Sequence, residues 1–418
     1  LSNTRTFAIN TTALFIIQLS SYVLPFLLVP YLTRVLGVEI YGVAAFGLAI
    51  GQFCCMITDY GFTLSATREI SKHRENKQLL NRVIGAVFTC KSLLLLFVVP
   101  CLAYYAFSQE SYIDHKQFLL LQIIPIVGQT FQPIWLFQGI EKMKSITYYT
   151  LISRLLSLTL TLLLVKTSED LNWLAFANGC AHVSAALMGI LMIYRIGYRP
   201  IWPGWNFCKL IFQQSTEFFW SRAALASFTS CGAIFLGIFS SPIQVAYFSA
   251  AEQLYRGGQS IFAPVSQALY PHMVKHKNFK LFFRVLKLSI CCCIIGVLIG
   301  GYNSHFIVEF IFGKDLIGSA DVLIIFLIAL LANVPSVLLG YPFLGALGKT
   351  KLANRSVIIA GLLQMGLLFW CYAANATSGL YVAFTVAGIE LVVLSLRIVW
   401  SRKYYFKAIN SDSLHQVS

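Results

Sequence analysis

Residues 247–271 read YFSAAEQLYRGGQSIFAPVSQALYP, a mostly apolar run long enough to cross a bilayer that carries Glu252 and Arg256 inside it. A charge at mid-membrane costs roughly 2.5–3.5 kcal/mol on insertion scales, so it persists where it meets a partner or a wet cavity. Two readings stand. Glu252 precedes Arg256 by four residues, on one helix face and in the favourable order, so the pair can neutralise itself. Alternatively, Arg256 serves a substrate. Where the other embedded charges fall separates the two.

The composition agrees with a membrane setting: 58% hydrophobic, 11% charged and a mean hydropathy of +0.74, against a charged fraction of about 25% in soluble domains. A soluble globular protein is excluded, and an all-α polytopic membrane protein is expected. At roughly 20 apolar residues per span, 418 residues hold about twelve, near 7–30, 40–62, 83–107, 117–138, 146–166, 173–194, 216–239, 244–270, 285–303, 320–345, 355–374 and 379–400. The run from Phe7 to Pro30 is too long for a signal-peptide core and lacks a small-residue cleavage site, so it is expected to remain as the first span. No segment is polar enough for a separate soluble domain.

Connectors 63–82, 139–145, 195–215, 271–284 and 346–354 and the tail after 400 are basic, whereas the alternate connectors carry Glu110, Asp114, Glu169, Asp170, Glu309 and Asp315. The positive-inside rule then places both termini in the cytoplasm. It also accounts for the formal charge of +15 without nucleic acid. The eleven cysteines sit almost wholly in apolar runs without metal-ligand spacing, and read as small core residues.

Two patterns recur at one offset. Tyr41, Ala44, Ala45 and Leu48 are echoed by Tyr247, Ala250, Ala251 and Leu254, and Trp135, Phe137 and Gly139 by Tyr341, Phe343 and Gly345, each 206 positions on. Two six-helix lobes of like orientation follow, related by a pseudo-two-fold axis along the membrane normal, an arrangement used by transporters. The expected division is 1–206, 207–400 and a cytoplasmic tail, 401–418. Pro25, Pro125, Pro133, Pro264, Pro335 and Pro342 fall inside spans, where proline bends or hinges a helix. Gly47 with Gly51, and Gly296 with Gly300, suit close helix packing.

Besides Arg256, the spans hold Lys91, Arg154, Arg222 and Arg397. Lys91 and Arg154 lie about eight residues, roughly 12 Å, from the cytoplasmic end, a depth from which long side chains, Arg222 included, can also snorkel to water. Arg397, close to the end of its span, reads as an anchor. The embedded acids are Asp59, Glu217, Glu252 and Glu390. Asp59 and Glu217 can pair locally, whereas Glu390 and His182, near mid-span, can exchange a proton; His182 equally suits a hydrogen-bonded core position. Arg256, Arg154, Lys91 and Arg222 are therefore the candidate substrate-binding cations of a cavity suited to phosphate. Glu252, Glu390 and Asp59 are the candidate coupling groups. A path for cationic drugs would need the opposite lining. No His/Glu metal constellation, Gly-rich phosphate loop or nucleophile–base pair is present. A transporter without cofactor or metal is expected, driven by a proton or other ion gradient or by consumption of its product.

The runs Pro30-Tyr-Leu-Thr-Arg34-Val-Leu-Gly37-Val-Glu39-Ile-Tyr41-Gly42, Asp59-Tyr-Gly61-Phe62 and Trp135-Leu-Phe-Gln-Gly139-Ile-Glu141-Lys-Met-Lys144 resemble those of bacterial O-antigen flippases. These are the Wzx-type proteins of the polysaccharide-transporter branch of the multidrug/oligosaccharidyl-lipid/polysaccharide exporter superfamily. The resemblance implies a flippase that moves an undecaprenyl-diphosphate-linked oligosaccharide unit to the periplasmic leaflet of the inner membrane by alternating access through a cationic central cavity. O-antigen polymerase and chain-length regulator are its implied partners. One departure stands out: related lipid-linked peptidoglycan flippases carry basic residues in the first span, which here offers Thr11, Thr12, Gln18, Ser20 and Ser21. The alternatives are a drug exporter of the same superfamily and an integral-membrane O-antigen polymerase or ligase. The enzyme would need a large periplasmic loop, and the longest periplasmic connector expected runs from about 304 to 319.

Overall fold

Inside a bilayer each backbone N–H and C=O must pair within its own segment, which leaves the helix as the available form for these apolar runs. The computed structural model describes residues 2–415, with side chains from Phe26 to Phe406 apart from Glu110, Leu225, Phe228 and Thr229. Thr11, Thr12, Gln18, Ser20, Ser21 and Pro25, as side chains, and residues 416–418 of the tail lie outside the described residues.

The described residues are helix, turn and connecting loop, and the chain divides into two compact units, Leu1–Ala223 and Ala224–Ser418. In the first, α1 (Ser2–Asp59) is broken at Gly37, whose φ of 75° separates the first two expected spans. Only glycine takes that conformation without strain. A left-handed pair, Tyr60 and Gly61, ends α1 before α2 (Phe62–Lys72). Asn76 then caps α3 (Lys77–Ser108), accepting the Leu79 N–H at 3.0 Å. The fourth expected span is in three pieces, α4 (Lys116–Leu121), α5 (Ile123–Thr130) and α6 (Ile134–Gly139), with Pro133 at the N-cap of α6. Helices α7 (Met143–Leu164), α8 (Leu171–Arg195) and the first half of α9 (Trp205–Phe239) complete the unit.

The second unit continues α9 and adds α10 (Pro242–His276) and α11 (Phe279–Tyr302), the latter capped by Asn278 on the Leu281 N–H at 3.0 Å. After α12 (Ser304–Phe312) comes α13 (Ser319–Leu338), which runs into a π-helical segment, Leu339–Leu344, interrupted at Gly340. Helices α14 (Thr350–Ala373) and α15 (Gly379–His415) follow. Of the prolines expected to interrupt spans, Pro133 and Pro342 lie at breaks, whereas Pro264 sits within an unbroken α10.

The first core joins Phe62 and Ile70 of α2, Ile84 and Val87 of α3 and Trp135 and Phe137 of α6 to Cys208 and Ile211 of α9. This anchorage of α9 explains why the units divide at Ala223/Ala224 rather than near 206. In the second unit Leu269, Met273, Phe282, Leu338 and Phe343 form the corresponding cluster. Glycines at the repeat offset do the same work in each unit. A Cβ on Gly139 would lie 2.6 Å from Ile70, and one on Gly345 would lie 2.7 Å from the Tyr270 ring, so these segments close on α2 in the first unit and on α10 in the second.

Nine helices among the described residues are long and apolar enough to cross a membrane. Neither α9 nor α10 is among them. The side chains of Leu225, Phe228 and Thr229 of α9 lie outside the described residues, and within the described ones Ser230–Phe239 is a shorter apolar stretch. In α10 Glu252, Gln253, Arg256 and Gln259 lower the hydropathy.

Helices α5 and α8 of the first unit meet backbone to backbone, where a Cβ on Gly128 would lie 2.5 Å from the Val183 nitrogen. Backbone cannot yield as a side chain can. Gly128→Val is expected to cost about 1–3 kcal/mol through overpacking, read as a lower thermal midpoint in detergent. Gly388→Ala, with nothing within 4 Å of the added carbon, should not lower it.

Candidate functional site

In the first unit the charges converge where α1 and α5 both stop. Asp59 is the last residue of α1 and Thr130 the last of α5. Because the chain breaks ahead of Pro133, the Thr130 carbonyl lacks the partner a continuing helix would give it. Lys91 of α3 supplies one: its Nζ donates to the Thr130 carbonyl at 3.1 Å and to Asp59 Oδ1 at 3.2 Å, with its side chain 3% exposed. Thr63 also donates to Oδ1, at 2.6 Å, while the Thr58 and Thr130 hydroxyls pair at 2.8 Å.

Arg222 of α9 brings its Nε to 3.9 Å from Asp59 Oδ2, an oxygen that is buried and takes no hydrogen bond. Two cations thus meet one carboxylate, leaving an excess positive charge. The same stretch of α9 is fixed by the Tyr60 ring, stacked between Phe212 at 4.2 Å and Phe219 at 4.5 Å. Arg154, on α7, stands apart from this trio. It is half-buried and within electrostatic range of His182. The His182 Nδ1 lies 3.1 Å from Gln132 Nε2, the arrangement of a hydrogen-bonded core histidine.

In the second unit Arg256 donates to Glu252 at 2.8 Å, so the i,i+4 pair forms; the arginine side chain remains 46% exposed against 20% for the glutamate. Tyr255, the neighbour of Arg256, points the other way and donates to Glu390 Oε1 at 2.9 Å. Asn333 of α13 donates to the same oxygen at 2.8 Å. The buried Glu390 carboxyl therefore rests on two neutral donors, and it has no ion-pair partner among the described residues. Stacking of Tyr255 on Phe326, with ring centroids 5.0 Å apart, fixes the phenol.

Arg397 corrects the expectation of an interfacial anchor. It is buried, its Nε donating to Ser356 Oγ at 3.0 Å and its Nη1 to the Ser336 carbonyl at 2.8 Å. A Cβ on Gly340 would lie 3.0 Å from Nη1, so the helix break makes the space the guanidinium occupies. Thr130 and Ser336 are 206 positions apart, the offset of the sequence repeat. In each unit, then, a buried cation binds a carbonyl at the broken fourth span. The two cations come from non-equivalent helices, α3 and α15, and for that reason the repeat pattern did not expose Arg397.

Among the described residues no group of three or more His, Cys, Asp or Glu side chains could hold a metal ion. The structure therefore gathers Asp59, Lys91 and Arg222 in one place and Glu252 with Arg256 in another. Glu390 and Arg154 each keep separate company.

Comparison with known proteins places this geometry. The family described as Polysaccharide biosynthesis protein matches residues 7–277. The chain belongs to that family. Along almost its whole length it is similar to the "Putative O-antigen transporter" of Escherichia coli (strain K12), 28% identical over 94% of this chain and 96% of the relative. The protein of the same description from Shigella dysenteriae is 24% identical over 93% and 99%. Among solved structures, the lipid II flippase MurJ in an inward closed conformation has the same fold, with a TM-score of 0.74, 17% identity and coverage of 94% and 87%. An inward-facing multidrug resistance transporter of the MATE family and MOP superfamily follows, at 0.69, 12%, 93% and 96%. By family this is a polysaccharide-biosynthesis protein, and by fold it is similar to the solved flippase and the solved multidrug transporter.

Asp59 and Lys91 should show strong coupling. Asp59→Asn leaves a buried ammonium uncompensated and is expected to destabilise by about 3–5 kcal/mol, as is usual when one partner of an enclosed pair is removed. The double variant Asp59→Asn/Lys91→Met should recover part of that loss. A double-mutant cycle on thermal midpoints, with a coupling near zero as the contrary result, checks it.

Proposed function

We propose that the protein is a flippase for an undecaprenyl-diphosphate-linked O-antigen oligosaccharide unit, carrying it from the cytoplasmic to the periplasmic leaflet of the inner membrane. The observation that carries this reading is the full-length similarity to the Escherichia coli relative. On this reading all twelve expected spans cross the membrane with both termini in the cytoplasm. The two units act as six-helix lobes related by a pseudo-two-fold axis, and transport runs by alternating access through a cationic cavity.

The charges support this assignment with different roles. Arg256 and Arg222 are exposed, and their guanidinium groups match the oxygens of a diphosphate. Arg154, half-buried, is the third candidate contact. Lys91 is enclosed and engaged by Asp59 and Thr130, so it meets a substrate when that trio opens. Glu252, Glu390 and Asp59 are the candidate groups for coupling to a proton or other ion gradient. O-antigen polymerase and the chain-length regulator would receive the product.

Deleting the gene should abolish surface polysaccharide and trap complete lipid-linked units on the cytoplasmic leaflet. Single units found unpolymerised in the periplasm would instead place the protein downstream of flipping. In the complemented strain Arg256→Ala should lower surface polysaccharide at least about tenfold, the effect of one lost charge-assisted contact, with membrane insertion intact. Wild-type levels would remove Arg256 from the substrate path. In proteoliposomes under a pH gradient, Glu390→Gln should slow flipping, and an unchanged rate would exclude that carboxylate from coupling.

A further inference from the structure

In the first unit the chain between α8 and α9 is strapped onto α3. The Arg199 N–H donates to Asn81 Oδ1 at 2.9 Å, and the Ile201 N–H donates to the Asn81 carbonyl at 3.2 Å. A Cβ on Gly85 would collide with the Ile201 carbonyl, so glycine is what lets the strap lie against the helix. These contacts also fix a depth. The polar start of α3, with Lys77, Gln78, Asn81 and Arg82, gives way at Val83 to the apolar run that qualifies this helix as a span. Ile201 is therefore held where α3 enters the bilayer.

The strap and the first turns of α9 have two faces. Tyr198, Phe207, Cys208 and Ile211 pack into the first core. Ile201, Trp202, Trp205 and Leu210 face outward, with Trp202 55% and Trp205 63% exposed. The two indoles meet edge to face, their centroids 5.0 Å apart. Exposed cations accompany them. Lys209 follows Trp205 by one turn of α9, on the same stripe. Lys77 reaches the strap, its Nζ 3.0 Å from where a Cβ on Gly197 would be. Neither these nor Arg199 forms an ion pair among the described residues.

We propose that this face is a docking surface for anionic phospholipid, Trp202 and Trp205 lying among the head groups while Lys77, Arg199 and Lys209 pair with lipid phosphate. The occupant follows from two observations: the depth set by Asn81 and Gly85, and the sign of the unpaired charge. Indoles settle at the membrane–water boundary because one part of the ring is apolar and the N–H is not. Basic side chains beside them add attraction to an anionic leaflet, and the positive-inside rule makes that leaflet the cytoplasmic one. The entry to α9 is then held from two sides, by α3 and by lipid. The surface is independent of the proposed cargo and would stand if that assignment failed.

The test uses the protein in phosphatidylcholine vesicles and follows the fluorescence that Trp202→Phe/Trp205→Phe removes, so that these two indoles alone are read. Brominated phosphatidylcholine should quench that component. Brominated phosphatidylglycerol should half-quench it at a mole fraction at least about fivefold lower, the enrichment one basic residue gives near an anionic surface. The variant Lys77→Gln/Arg199→Gln/Lys209→Gln should lose that preference while keeping the quenching by brominated phosphatidylcholine and the wild-type thermal midpoint. Equal half-quenching by the two lipids in the wild type, or an undiminished preference in the charge variant, overturns the proposal. Quenching by aqueous iodide with none by either brominated lipid also overturns it and makes the face a docking site for a protein.

Discussion

A carbonyl freed by a helix break has no water to turn to in the middle of a membrane protein, and the first unit meets that constraint with charge. Leaving such a group unpaired costs on the order of several kcal/mol in hydrocarbon. Lys91 takes the Thr130 carbonyl, and Arg397 adds a bond to that of Ser336, which also accepts the Leu339 N–H. These contacts let the fourth span of each unit be irregular without being unstable. The irregularity in turn sets the path of the chain into the Trp135–Gly139 and Tyr341–Gly345 segments, whose glycines close against Ile70 and Tyr270.

Burying a cation creates a second demand, since an enclosed ammonium or guanidinium needs compensation of its own. Asp59 meets it for Lys91, and that fixes where α1 can end. The left-handed Tyr60 and Gly61 are the consequence, and the Tyr60 ring then clamps α9 through Phe212 and Phe219. One electrostatic requirement thereby organises the junction of α1, α2, α3, α5 and α9. Arg222 arrives at the same carboxylate with nothing left to neutralise it fully, so an exposed positive group is built into the junction.

Much of this was legible in the sequence and some was not, for identifiable reasons. The helices follow from hydropathy because lipid leaves no other backbone solution. Every embedded charge was also visible, because a Lys or Arg inside an apolar run cannot be hidden. The partners were harder. Glu252 and Arg256 are four apart on one helix, so their pairing could be read as one of two outcomes. Asp59 and Lys91 are on different helices, and nothing in their spacing ties them together. Arg397 was misjudged because nearness to the end of a span implies water, whereas the break at Gly340 turns that end inward against Ser336 and Ser356. The polar content of α10 hides it from a hydropathy criterion, although it carries Glu252 and Arg256.

The two units solve the same problem with different margins. In the first, cation and carboxylate touch, so Lys91 and Asp59 satisfy one another directly. In the second, Glu390 and Arg397 lie seven residues apart on α15, about 10 Å along the helix at 1.5 Å per residue, and each rests on neutral donors or acceptors instead. A direct buried pair resists separation, since parting it exposes two charges at once. A split pair held by hydroxyls, an amide and a carbonyl can exchange one neutral partner at a time.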